Sequence, residues 1–93
     1  MIRFRARAAE DVRIIIEHYR NTYPGRAERF LAAMDRALEV VEAQPLAFAV
    51  FEPPDVRGVQ VRSFPYRIVY IVVREDAEVI ALVHGRRRPS SFR

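Results

Sequence analysis

The sequence has 93 residues, of which 51% are hydrophobic and 30% charged, a composition typical of one small folded domain of modest stability. It contains no cysteine and only two histidines, which excludes disulfides and thiolate metal sites, and we expect neither a structural zinc site nor a cofactor. Since no signal-like leader and no apolar run of membrane-spanning length is present, we expect a cytoplasmic protein.

Positive charge is concentrated in the C-terminal part. All 16 basic residues are arginine, and the net charge is +4. Residues 1–55 hold 8 arginines and 9 acids, a net charge of −1, whereas residues 56–93 hold 8 arginines and 3 acids, a net charge of +5. GC-rich coding explains a preference for arginine over lysine but not this segregation. The basic part favours nucleic acid or an acidic protein surface as a partner.

The first half predicts one short strand and two helices. Residues 2–6 alternate apolar and basic side chains, as in a half-buried strand. Residues 8–23 and 26–43 instead carry apolar residues at helical spacing. We place Glu10 and Asp11 in the first turn of the first helix, where the helix dipole favours acids. The apolar stripes are Ala8, Val12, Ile15, Ile16, Tyr19 and Tyr23, then Ala27, Phe30, Leu31, Met34, Leu38 and Val41.

The second half predicts a loop followed by three strands. Residues 45–58 contain three prolines and a glycine, which are typical of a loop. Strands are predicted over residues 59–64, 66–73 and 78–84. The order β-α-α-β-β-β indicates a single α+β domain spanning residues 1–93, in which a helical hairpin packs on a mainly antiparallel sheet.

The last two strands are apolar on both faces, so both faces need cover. Strict alternation places Ile80 and Leu82 on one face of the last strand, opposite Val79, Ala81 and Val83. One helical hairpin covers a single face. The other could be met by the C-terminal tail, a second copy or a partner, and we hypothesise that part of it is a partner site. The alternative is that loop 45–58 folds over it.

The stretch VHGRRRP carries the candidate functional residues. His84 is either a packing residue with one hydrogen bond or a general acid or base beside Arg86 or Arg87, which would suit phosphodiester cleavage. The arginines are either a solvated charge run or a surface that recognises phosphate or carboxylate. Neighbouring strands could extend that surface. The candidate binding residues are Arg57, Arg62, Arg67, Arg86, Arg87 and Arg88.

Four segments carry a resemblance to toxins of the bacterial RelE/ParE superfamily, from type II toxin–antitoxin modules. They are AAEDVRIIIEHY, ERFLAAMDRALEVVEAQP, SFPYRIVYIV and VIALVHGRRRP, and the last two are the specific part. The resemblance implies the β-α-α-β-β-β fold. It also implies one of two functions: ParE-like proteins bind and poison DNA gyrase, whereas RelE-like proteins are ribosome-dependent messenger-RNA endonucleases.

The residues favour the ParE branch. In the nuclease branch, basic sheet residues act with a tyrosine or histidine near the C-terminus, and the matching positions are Arg67, His84 and Arg86. Phe92 falls about where a nuclease tyrosine would stand and has no hydroxyl, while arginine stays protonated and makes a poor base. We therefore predict a gyrase inhibitor with no favoured catalytic residue. The resemblance implies an acidic or amphipathic, ParD-like antitoxin as partner, and we expect no direct DNA binding by the toxin alone.

Overall fold

The computed structural model describes residues 1–85, which form two helices and one five-stranded sheet. In chain order the elements are β1 (Ile2–Phe4), α1 (Ala6–Thr22), α2 (Arg26–Ala43), β2 (Val50–Glu52), β3 (Val56–Gln60), β4 (Tyr66–Val73) and β5 (Asp76–His84). The strand order is β1-β5-β4-β3-β2, with β1 parallel to β5 and every other pair antiparallel. The predicted fold class is confirmed, with β2 as an additional strand.

The helices agree with prediction because their apolar residues recur at helical spacing. α2 has the predicted bounds, 26–43, and α1 begins two residues earlier than predicted, at Ala6. The first turn of α1 therefore holds no acid, and the placement of Glu10 and Asp11 there was wrong. Tyr23, predicted on the buried stripe, is 54% exposed because α1 ends before it.

The predicted strand 59–64 is wrong over residues 61–64. β3 covers residues 56–60, and the chain then turns through Ser63, whose φ is 72°. Val61 donates its backbone N–H to the Tyr66 carbonyl across this turn, at 2.9 Å. The pairing of β3 with β4 decides where the strand lies, and local alternation alone does not reveal it. The predicted loop 45–58 likewise contains β2 and the first residues of β3.

A bulge at Ile80 changes which side chains share a face of β5. Ala81 and Val79 pair with adjacent residues of β4, and Ile80 takes no partner in that strand. The extra residue resets the alternation, so Ile80 and Ala81 belong to the same cluster. The prediction that Ile80 lies on the face of Leu82 was wrong for this reason.

The sheet has a buried apolar cluster on each face. On the helix face, Ile68, Tyr70, Val79 and Leu82 pack with the buried residues of α1 and α2. The opposite cluster comprises Phe51, Val56, Val69, Ile71, Ile80, Ala81 and Val83. None of these seven is more than 7% exposed, so the hypothesis of an apolar partner site on this face is contradicted for them.

Segment 45–58 supplies part of the opposite cluster, but it adds β2 and the start of β3 to the sheet and does not fold over the face as a loop, which the alternative hypothesis expected. Phe51 comes from β2 and Val56 from the first residue of β3, and both are buried there. The C-terminal tail, the other candidate cover within the chain, lies outside the described residues. Neither helix in residues 1–85 is long and apolar enough to cross a membrane.

Candidate functional site

A groove of about 440 Å³ lies between α1 and the end of β5. Its lining residues are Arg7, Asp11, Ile14, Ile15, Tyr66, Leu82, Val83 and His84. The groove combines exposed polar side chains with an apolar wall, a composition common in binding sites. It also contains His84, which makes it the candidate site.

The groove exists because β1 is much shorter than β5. β1 pairs only with residues 77–79, so no described strand flanks the remainder of β5 on that side. The Leu82 backbone N–H points to this open edge and donates to Asp11 Oδ2 at 3.0 Å. Asp11 thus occupies a backbone donor that a neighbouring strand would otherwise use.

The His84 and Tyr66 rings meet at the end of the groove. They are cross-strand partners, with ring centroids 5.2 Å apart and planes at 85°. Burial raises the pKa of the Tyr66 phenol above its ordinary value, with a smaller contribution from Tyr19. Tyr66 therefore remains protonated at neutral pH and does not act as a base there. The His84 side chain is exposed at this end of the groove.

Arg67 lies on the other side of the sheet from His84. Its guanidinium carbon is 5.2 Å from the centre of the Phe51 ring, and Phe51 belongs to the cluster on the face opposite the helices. Arg67 pairs with Val83, whereas His84 pairs with Tyr66, so the two side chains alternate onto opposite faces. The structure does not bring these two candidate residues together.

Arg57 braces the chain after α2. It donates to the backbone carbonyls of Leu46 and Phe48, which fixes the segment between α2 and β2. Because it lies on the helix face, opposite Tyr70 in β4, it does not share a surface with Arg67. These contacts indicate a structural role for Arg57.

Arg62 lies in a third place, a cleft between α2 and the turn after β3. The arginines of this cleft are Arg26, Arg29, Arg36 and Arg62. Of these four, only Arg62 was predicted as a binding residue, although the spacing of the other three places them on one side of α2. The predicted basic surface is thus divided among separate sites at Arg57, Arg62 and Arg67, and Arg86, Arg87 and Arg88 lie outside the described residues.

Within residues 1–85, no three histidine, aspartate or glutamate side chains lie close enough together to share a metal ion. The groove at β5 presents polar and apolar surface together with the exposed His84 imidazole.

Comparison with known proteins gives one family and several related folds. The family model for the ParE toxin of the type II toxin–antitoxin system parDE matches residues 2–89. No curated protein matches the chain.

Three solved structures share the fold. A chain of the chromosomal ParDE TA system from P. aeruginosa superposes with a TM-score of 0.76 at 15% identity, covering 90% of this chain and 94% of that one. The isolated E. coli RelE toxin superposes with a TM-score of 0.59 at 22% identity, covering 97% of this chain and 87% of that one. A chain of the intact E. coli RelBE toxin–antitoxin complex superposes with a TM-score of 0.59 at 23% identity, covering 95% of this chain and 98% of that one.

Proposed function

The chain belongs to the ParE toxin family of type II toxin–antitoxin systems, and from that premise we propose that it inhibits DNA gyrase by protein binding. A cognate, ParD-like antitoxin would neutralise it, and both would act in the cytoplasm, where gyrase works. Backbone geometry favours the same branch: the fold superposes better on the ParDE chain than on the RelE chains, although its identity to the ParDE chain is lower.

The observation that carries a binding function over a catalytic one is the separation of Arg67 from His84. A nuclease must take a proton from the attacking 2′-hydroxyl and stabilise charge on the same phosphate, so its groups must reach one reacting centre. Here the sheet lies between the arginine and the imidazole. Because Arg67 and His84 lie on opposite faces of the sheet, they are better placed to contact two separate partner surfaces than to act on one phosphate.

The alternative is a RelE-like messenger-RNA endonuclease, and exposed His84 is the observation that favours it. In that function His84 would be the general acid or base. Tyr66 would serve only to position it, because the Tyr66 ring contacts His84 edge to face and the pKa of its phenol is raised.

We propose that the antitoxin docks in the groove at β5. The ParDE and RelBE relatives are named as toxin–antitoxin systems. The groove offers the open edge of β5 and the side chain of Ile14, which is 52% exposed on α1. An extended antitoxin segment would add to this edge through its main chain by displacing the Asp11 carboxylate from the Leu82 N–H. Among the arginines, Arg62, Arg67, Arg86, Arg87 and Arg88 remain candidates for contact with antitoxin or target.

Two assays on the purified chain distinguish the functions. Gyrase supercoiling and cleavage-complex formation should be perturbed, while messenger RNA in a translating extract should stay intact. His84→Ala should leave gyrase inhibition within about twofold of wild type, whereas an acid or base role would lower message cleavage by roughly 10²–10⁴-fold. Message cut at the ribosome with normal gyrase activity would overturn the proposal.

A further inference from the structure

A second site lies on the side of α2 away from β1. The cleft there has a volume of about 590 Å³ and is bounded by α2 and the turn at residues 62–64. Arg26, Arg29, Arg36 and Arg62 line it, and no acid does. Asp35 and Glu39, acids of the same helix, line a different depression beside β1. The cleft therefore concentrates four positive charges without internal compensation.

The arginines of this cleft differ from others in the chain. Arg13, for example, contacts Glu10 at 2.6 Å and Glu17 at 2.7 Å. Among residues 1–85, none of the four cleft arginines forms an ion pair. Arg29, Arg36 and Arg62 are exposed, so their guanidinium groups are available to an external anion.

Aromatic rings hold Arg26 in place at one end of the cleft. Its guanidinium carbon lies 5.3 Å from the centre of the Tyr19 ring, 5.6 Å from Tyr23 and 5.0 Å from Phe64. Such contacts restrict an otherwise flexible side chain and lower the entropy lost when it binds an anion. Arg26 is thus already oriented before a ligand arrives.

We propose that this cleft binds the phosphodiester backbone of a nucleic acid. From Arg26 to Arg36 the helix rises about 15 Å, and the same length of duplex DNA carries roughly nine phosphate charges. An acidic peptide is the competing ligand, because arginine clusters also recognise acidic motifs, and the experiment below separates the two. The site departs from the expectation that the toxin alone does not bind DNA.

The test measures binding of a short fluorescent DNA duplex by anisotropy between about 50 and 200 mM salt. Replacing Arg29 and Arg36 together by glutamine should weaken binding about tenfold and reduce the salt slope by about two, one unit for each lost phosphate contact. The matched control replaces Arg3 and Arg13 by glutamine. It removes the same charge outside the cleft, and circular dichroism checks that both variants remain folded.

Parallel measurements distinguish DNA from RNA as the ligand, and nucleic acid from an acidic peptide. A single-stranded RNA of equal length, run in parallel, shows whether DNA or RNA supplies the backbone. If both double variants weakened DNA binding equally, the loss would depend on net charge alone and not on the cleft, and the proposal would be overturned. It would also be overturned by absence of wild-type binding at the lowest salt, or by a poly-glutamate peptide of matched charge that displaces the duplex as well as unlabelled DNA does. None of these results depends on gyrase inhibition, which is assayed separately.

Discussion

Asp11→Ala tests the link between α1 and the open edge of β5. In the native protein the Asp11 carboxylate accepts the Leu82 N–H at 3.0 Å, across 71 residues of sequence. Leu82 is 7% exposed, so water replaces the lost acceptor only in part. The substitution leaves a nearly buried backbone donor unsatisfied, and we expect it to destabilise the fold.

Three contributions determine the magnitude. Loss of a hydrogen bond to a charged group costs about 1.5–3 kcal/mol. The Asp11–Arg7 ion pair, at 4.0 Å with the Arg7 side chain 55% exposed, contributes about 0.5 kcal/mol or less. The higher helix propensity of alanine offsets roughly 0.5 kcal/mol of the lost free energy of unfolding. The hydrogen bond dominates, and the net loss of about 2 kcal/mol should lower Tm by roughly 8–16 °C.

Thermal and urea unfolding measure this loss, and hydrogen exchange localises it at the Leu82 amide. Asp11→Asn keeps an oxygen acceptor and should lose about half as much. Glu17→Ala is the matched control, since it also removes an acid from α1 but breaks only an exposed ion pair, and it should cost within about 0.5 kcal/mol. If Asp11→Ala were no more destabilising than Glu17→Ala, or left Leu82 exchange unchanged, the reasoning would be refuted.

Two further predictions concern the sheet. Tyr70→Phe removes the 2.6 Å hydrogen bond to the Pro45 carbonyl and should cost about 1–2 kcal/mol in urea unfolding. Burial raises the pKa of the Tyr70 phenol, so the unfolded state ionises first and stability should fall as pH rises above about 10, a decline that Tyr70→Phe should reduce. In Gly58→Ala the new Cβ would meet Arg67 Cδ at 2.8 Å, which should cost about 1 kcal/mol. That cost should vanish in an Arg67→Ala background, and its persistence would show that another contact is responsible.

Much of the candidate site could not be located from the sequence, for a specific physical reason. Sequence places a residue along its own strand or helix, but neighbours across the fold depend on register. Asp11 was assigned to the dipole of its helix, and its actual partner is a strand amide that is free because β1 ends at Phe4. Likewise, Arg57 and Arg67 lie on neighbouring strands, yet their pairing partners put them on opposite faces.

By itself the sequence determined the helices, the two long strands, the basic C-terminal half and the resemblance to toxins, because these depend on local periodicity, composition and short segments. Only the tertiary structure decided the bulge at Ile80, which moves its side chain to the other cluster. It alone also divided the arginines among separate surfaces and gathered four of them in the cleft at α2. Those outcomes follow from strand register and from the packing of α2 against a turn, and both join residues that are distant in the chain.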